Sequence, residues 1–389
     1  MKINVLPIVS ALHKGDIINN ETRALLTDIE SISDFSFNIT DKSSLYATKL
    51  SLILVQSGGS EGRFLEIEKA LKPPFYLLTY GSNNSLAASM EILSYLKGKN
   101  ACAEILHGSP KYIAKRLQEL VSKKESVPIK LGVIGKPSDW LIASNVDYNH
   151  VKKAFNIDLI DIGMGELINT YNAIDLNDYK TDLDLDFNNE AVKDAKKLSK
   201  ALMLIKDKYE LKGLTLRCFD LLDTIKTTGC LGLALLNKED SIGTCEGDIP
   251  SMLSMVILKQ VTNQPGFQAN PSKIDTEKHE MVFAHCTLPL DMADSYDVMT
   301  HYESGIGVAL RGHLKKAPIT VFKLSNNLKD YYVSEGNIIR NLEEANLCRT
   351  QIRVSIDNTD YFLKKPYGNH HIIVYGHHKE AIKHYLDNL

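Results

Sequence analysis

The strongest constraint on the fold is the spacing of short apolar runs over the first 165 residues. They fall at 3–9, 50–55, 75–80, 103–106, 130–134 and 158–162. Helical patterns lie between several of them, at 61–71, at 85–96 with Ser85 as N-cap, and after Ser109-Pro110, where Ile113, Leu117, Leu120 and Val121 form an apolar stripe. Strand–helix alternation with short connections predicts a mostly parallel sheet covered by helices. Ligands of such sheets bind beyond the carboxyl ends of the strands. The candidate loops are therefore Gly81-Ser82-Asn83-Asn84 and Gly135-Lys136-Pro137-Ser138-Asp139.

A chain of 389 residues is expected to hold two or three domains, at roughly 100–200 residues each. With 44% hydrophobic and 24% charged residues it has the balance of a globular chain. Forty-five Lys+Arg against 48 Asp+Glu, net −3, argue against a broad nucleic-acid footprint. No apolar run approaches the ~20 residues of a membrane helix. The N-terminal segment, interrupted by Asn4 and Pro7, reads as a first strand and not a signal peptide. Six cysteines at 102, 218, 230, 245, 286 and 348 form no C-x-x-C pair. The expectation is reduced thiols and a cytoplasmic location.

The acidic stretch 174–188 reads as a polar connection between domains; its D-L-D-L-D alternation lacks the Gly and terminal Glu of a calcium loop. An amphipathic helix follows, with Val192, Ala195, Leu198, Leu202 and Ile205 on one face. The last third changes character. Segment 281–288 is short and apolar-rich, segments 319–324, 351–356 and 372–375 read as strands, and Ile352, Val354 and Ile356 alternate with Gln351, Arg353 and Ser355, as in an antiparallel sheet with one wet face. The expected architecture is α/β: Rossmann-like parallel-sheet domains at 1–168 and 169–266, then a mostly antiparallel β domain at 267–389.

Gly305-Ile306-Gly307 and Gly163-Met164-Gly165 lack the third glycine of a dinucleotide loop, and no Walker loop or G-x-S-x-G elbow occurs. Four segments look more specific. Cys245-Glu246-Gly247-Asp248-Ile249-Pro250 precedes an apolar helix, for which Asp248 is a natural cap. Glu246 has no basic neighbour in sequence, so it is either solvated or bound to a cation. Phe267-Gln268-Ala269-Asn270-Pro271 reads as a strand end entering a turn. Ala284-His285-Cys286-Thr287-Leu288-Pro289 carries a lone His, read as a core residue or a ligand. Gly368-Asn369-His370-His371 leads into an apolar strand ending at Tyr375-Gly376. If that strand begins at 370, the two imidazoles point to opposite faces.

The order and spacing of these four motifs resemble the L-fucose isomerase and L-arabinose isomerase superfamily, most closely its smaller fucose-isomerase-like proteins. The resemblance covers most of the chain and is strongest from Arg217 onward. It implies a three-part layout and a divalent metal, typically manganese, that holds two sugar oxygens. Acid/base groups then move a proton between C1 and C2 through an enediol. On this resemblance Glu246, His285 and His370 are the metal ligands, and Glu246 is also the proton-transfer group. Trp140 sits in a loop by which a neighbouring subunit of the family adds an aromatic to the sugar site, or else packs between domains, and Asn83 is a candidate substrate contact. Apart from the resemblance, Arg311 and Arg349, in polar, glycine-rich segments, are read as contacts for an anionic substrate group or as packing and salt-bridging residues. The implied partners are a small sugar and further copies of the chain, as a trimer or hexamer, with no nucleic acid and no membrane.

One departure bears on the chemistry. Asn270 stands where the family has a second carboxylate. An amide oxygen ligates a hard cation but moves no proton. Two carboxylates plus M²⁺ sum to 0 and one plus M²⁺ sums to +1, which favours an anionic sugar. Asp248 is a substitute base if it is not engaged as a helix cap. Asn270 also leaves open a non-catalytic sugar-binding or regulatory protein, and the same scaffold an epimerase or lyase.

Overall fold

The computed structural model describes residues 1–12, 16–99, 101–125, 127–175, 189–238 and 241–387. Its contacts divide the chain into two units, Met1–Ser126 and Val127–Leu389.

In the first unit the apolar runs become β1 (Lys2–Ile8), β3 (Ser51–Val55), β4 (Phe75–Leu78) and β5 (Ala103–Leu106), with β2 (Ser36–Ile39) added at one edge. Helices α1 (Asp16–Ser31), α2 (Ser60–Ile67), α3 (Ser85–Gly98) and α4 (Pro110–Glu125) alternate with them. The sheet is parallel, in the order β2-β1-β3-β4-β5. Ile3, Val5, Leu52 and Leu54 pack with Ile113 and Leu117, while Ile8, Ile53, Val55 and Leu77 pack with Phe64, Ala88 and Ile92. Burial on both faces explains why the strands read as unbroken apolar runs. Strand β2, Ser-Phe-Asn-Ile at the edge and only partly buried, carries no such signal. The cap of α3 differs from expectation. Asn84, in left-handed backbone, is the N-cap, and the Ser85 hydroxyl is held by Thr79 Oγ1 at 2.7 Å and the Gly81 N–H at 3.1 Å.

The second unit begins with β6 (Ile129–Ile134), α5 (Tyr148–Phe155), β7 (Ile157–Ile162) and α6 (Met164–Ala173). It continues with α7 (Asn189–Lys208), β8 (Gly213–Leu216), α8 (Asp220–Thr224), α9 (Cys230–Lys238), β9 (Ile242–Cys245) and α10 (Ile249–Thr262). The parallel sheet order is β7-β6-β8-β9. The acidic stretch lies, from 176 on, outside the described residues. The expected boundary at 168 falls inside α6, and the one at 266 immediately precedes β10.

The remainder comprises β10 (Phe267–Asp275), β11 (Glu280–His285), β12 (Ser295–Met299), β13 (Ala309–His313), β14 (Pro318–Leu324), β15 (Tyr331–Asn341), β16 (Thr350–Ile356), α11 (Asp360–Lys364), β17 (His371–Tyr375) and α12 (Lys379–Asp387). Strands β12 and β13 pair as an antiparallel ribbon. The other six close an antiparallel barrel, β10-β11-β16-β15-β14-β17, filled by Phe267, Phe283, Val321, Ile352, Val354 and Ile373. Two expectations change here. Residues 267–271 do not end a strand: β10 runs through Pro271 to Asp275, with a bulge between Pro271 and Lys273 absorbing the proline. The outer face of β16 is only partly wet, because Gln351 is buried and bonds the Glu344 backbone through both amide atoms.

Helix α10 joins the two layers. Every residue from Ile249 to Leu258 is buried, packed between Leu131 and Val133 of β6 on one side and Phe322, Leu324, Ile372 and Val374 of the barrel on the other. A helix apolar all round belongs in such an interior. Its N-terminus therefore opens where the carboxyl end of β9 meets the barrel. Among the described residues no helix is long and apolar enough to cross a membrane.

Candidate functional site

Glu246 and Gly247 form the sharp turn between β9 and α10, both in left-handed backbone, φ 63° and 71°. A non-glycine residue there is strained, and such strain clusters at functional positions. Backbone bonds impose it. The Ser138 N–H donates to Glu246 O at 2.9 Å, and Gly247 N–H donates to Leu216 O at 3.1 Å. Gly247 has no room for a side chain, since a Cβ would lie 2.2 Å from Lys136 O and 2.7 Å from Pro137 Cα. Gly247→Ala should cost at least about 2 kcal/mol in urea denaturation; an unchanged midpoint would show that the turn yields freely.

Asp248 caps α10, accepting from Ser251 N at 2.9 Å and Ser251 Oγ at 2.8 Å. Lys323 Nζ, from β14, lies 3.2 Å from Asp248 Oδ2 and donates to Ser251 Oγ at 2.8 Å. Both charged side chains are buried. His370, just before β17, places Nδ1 2.9 Å from Asp248 Oδ2. Asp248 is thus saturated, and its placement is that of an acceptor fixing an imidazole rather than a free base. The opposite nitrogen, His370 Nε2, lies 3.5 Å from Glu246 Oε1 and is buried without a hydrogen-bond partner.

His285, at the end of β11, shares a 2.9 Å hydrogen bond through Nδ1 with the Thr287 hydroxyl, and its ring meets that of His370 edge-on at 5.2 Å between centroids. Asn270 sits on β10 between them. Ala269 pairs with His371 and Asn270 with Ala284, and Asn270 Oδ1 is buried without a partner. Trp140, in the loop after β6, donates Nε1–H to Glu246 Oε2 at 2.7 Å and packs edge-on against Phe219 at 5.0 Å. Its indole remains 52% exposed, leaving a face open for a ligand.

One pocket with about 460 Å³ of atom-free space, its mouth included, is lined by Glu246, Asn270, His285, Phe219, His301 and Glu303 among others. One ligand atom each from Glu246, His285 and His370 lie within 4.8 Å of one another. The partnerless His370 Nε2 and Asn270 Oδ1 are what a ligand set looks like without its ion, and a carboxylate, two imidazoles and an amide oxygen suit a borderline divalent cation. The residues fit such a metal. Second nitrogens bonded to Asp248 and Thr287 orient the two imidazoles as metal-ligating histidines require.

The other expected contacts have partners of their own. Arg311 is not among the pocket's lining residues and pairs with Glu343 at 3.4 Å. Arg349 donates to Thr300 O at 2.8 Å. Asn83 belongs to the first unit and donates to Glu21 at 2.6 Å. Lys323, Ser251 and His301 were missed. The signal for Lys323 was a single Lys inside the apolar run Ile319–Leu324.

Burial pushes His285 down to about 3, so it is neutral. Burial also opposes charge on His370, but its bond to Asp248 and the nearby Glu246 carboxylate outweigh that and raise it to about 9. Burial would raise Glu246, yet His370 holds it down at about 2. A raised His stabilises the fold fully below its ordinary 6.5 and loses that contribution as pH climbs through about 9. The lowered Glu246 contributes above its ordinary 4.5 and fails as pH falls through about 2. Ligation by Nε2 needs neutral His370, so cation binding expels a proton. Thermal melts of chelator-treated protein should therefore show stability falling from neutral pH toward pH 9–10, with added Mn²⁺ stabilising most at the alkaline end. A Mn²⁺ stabilisation that shrinks with rising pH would contradict this assignment.

Fold and site together define a parallel α/β sheet whose strand ends face a closed β-barrel across one buried helix, with a carboxylate and two imidazoles meeting at the seam. No family model matches the chain. It is similar to the sulfoquinovose isomerases of Priestia aryabhattai and Priestia megaterium (strain ATCC 12872 / QMB1551), 22% identical over 390 residues to each, spanning 90% of this chain and 85% of the relative. The likeness is to sugar isomerases and does not single out the L-fucose and L-arabinose enzymes. At that level the chain is carbohydrate isomerase-like.

Proposed function

We propose that the protein is a metal-assisted isomerase that interconverts an aldose and a ketose through an enediol, acting on a sugar with an anionic group. The observation that carries this is the convergence of Glu246, His285 and the partnerless Nε2 of His370 in one buried cluster, within 4.8 Å of one another. The likeness to sulfoquinovose isomerases over most of the chain supports it.

A divalent cation held by Glu246, His285 and His370 would grip two sugar oxygens and stabilise charge developing on them. Glu246 is ionised at neutral pH, with Oε2 pinned by the Trp140 indole and Oε1 on the His370 side. It receives the proton from one carbon and returns it to the neighbour. Asp248 holds the His370 tautomer, and Lys323 balances Asp248, so the pocket's own charge with M²⁺ is +1. That residual charge supports an anionic substrate, a class that includes sulfoquinovose. The buried, partnerless Asn270 Oδ1 would ligate the cation or accept from a sugar hydroxyl.

The test is incubation of Mn²⁺-loaded protein in D₂O with aldoses, uronates, sugar phosphates and sulfoquinovose, read by NMR. Deuterium should enter C2 of an anionic member and stop on chelation. No exchange with any sugar would overturn the proposal. Asn270 itself favours one rival, a sugar-binding protein without turnover. Sugar-induced thermal shifts without exchange, and no gain on Asn270→Asp, would select it.

A further inference from the structure

We propose that Cys230, Cys286 and His301 form a second metal site, for a thiophilic divalent cation of the zinc class, with Cys348 as fourth donor. One ligand atom from each of the first three lies within 4.8 Å of the others, and all three residues are buried. Cys348 packs against the buried cluster of Cys230, Cys286 and Ala309. Zn–S and Zn–N bonds of about 2.3 and 2.0 Å put tetrahedral donors roughly 3.5–3.8 Å apart. Closing the cluster thus takes movements on the order of 1 Å. Each ligating thiol releases its proton to solvent as its sulfur bonds the metal.

The donor chemistry separates this set from the one built around Glu246. Thiolates select soft cations, whereas a carboxylate, imidazoles and an amide oxygen accept harder ones. A buried cysteine alone is an ordinary small hydrophobe. Here three thiols and an imidazole arrive from four segments: the start of α9, the end of β11, the loop after β12 and the loop before β16.

Those segments are tied together independently of any ion. The Thr228 hydroxyl, two residues before Cys230, donates to Val308 O at 2.8 Å and accepts from Val308 N–H at 3.2 Å. The turn between them is closed by His301 N–H to Ile306 O at 3.0 Å and Gly305 N–H to His301 O at 2.9 Å. Arg349 Nε, next to Cys348, donates to the carbonyl of Thr300, next to His301. His301 Nδ1 shares a 3.0 Å hydrogen bond with Ser304 Oγ, which orients the ring and leaves Nε2 for a metal. A donor set held by its surroundings is the kind that binds tightly.

The experiment uses the full chain, reduced and stripped with chelator, titrated with Co²⁺. One equivalent should give the intense near-ultraviolet thiolate-to-cobalt band and the visible bands of tetrahedral Co²⁺, both bleached by one equivalent of Zn²⁺. The bands should survive in Glu246→Gln and vanish when Cys230→Ala and Cys286→Ala are combined. No thiolate band in the wild type, or a band that persists in the cysteine variant, would overturn the site. Should that variant fail to fold, alkylation of the wild type by N-ethylmaleimide decides. Zn²⁺ should protect the peptides holding Cys230, Cys286 and Cys348, and unchanged rates would refute the proposal. None of these readouts depends on isomerase activity.

Discussion

Glu246→Gln should leave the protein folded and reduce C2 deuterium exchange by roughly 10²–10⁴-fold. The substitution preserves shape but removes the group proposed to carry the proton, and the carboxylate charge beside His370 Nε2. Two separable effects follow. Mn²⁺ affinity should fall, because an amide oxygen is the weaker ligand. Exchange should stay depressed even when Mn²⁺ is raised to saturation, because no base remains. Exchange restored fully by excess metal would reduce Glu246 to a ligand and move proton transfer to another group. Wild-type rates without added metal would remove it from the chemistry altogether.

Lys323→Met should be the most destabilising substitution around the pocket. Lys323 and Asp248 are both buried, 3.2 Å apart. Removing one member strands the other charge, at a cost of roughly 3–5 kcal/mol. In the Mn²⁺-loaded protein His370, as a neutral ligand, would not take over; without metal its raised pKa would leave it a partial replacement. Urea denaturation of the Mn²⁺-loaded protein at neutral pH reads the loss directly. Combining Lys323→Met with Asp248→Asn should cost less than the sum of the two, because the second substitution removes the stranded charge. A loss under about 1 kcal/mol for the single variant would mean that Ser251 and the start of α10 carry Asp248 unaided.

Much of this was legible in the residues. Strands buried on both faces announce themselves as apolar runs, so six of the nine parallel strands among the described residues were visible by hydropathy in the first 165 positions. The edge strand β2 was not, because its partly exposed residues carry no alternation. The ligand candidates were legible because chemistry restricts them to few residue types in fixed surroundings. What supports them was hidden. Lys323 sits among apolar neighbours in sequence, and only the closed barrel brings it to Asp248. The left-handed turn at Glu246 arises from Ser138, Leu216 and Lys136, more than twenty residues away, so nothing local signals it. For the same reason Asp248 could be read as cap or base. The fold makes it a cap that also holds an imidazole.

The two adjacent histidines at the head of β17 carry one more consequence. His370 turns to Glu246 while His371 turns into the barrel, where Nε2 lies 3.1 Å from the Tyr361 hydroxyl. A slip of a single residue would exchange their faces, delivering the wrong imidazole to each environment at once. The stretch between α11 and β17 can therefore vary in composition across evolution but hardly in length, since one inserted or deleted residue would damage chemistry and packing in the same stroke.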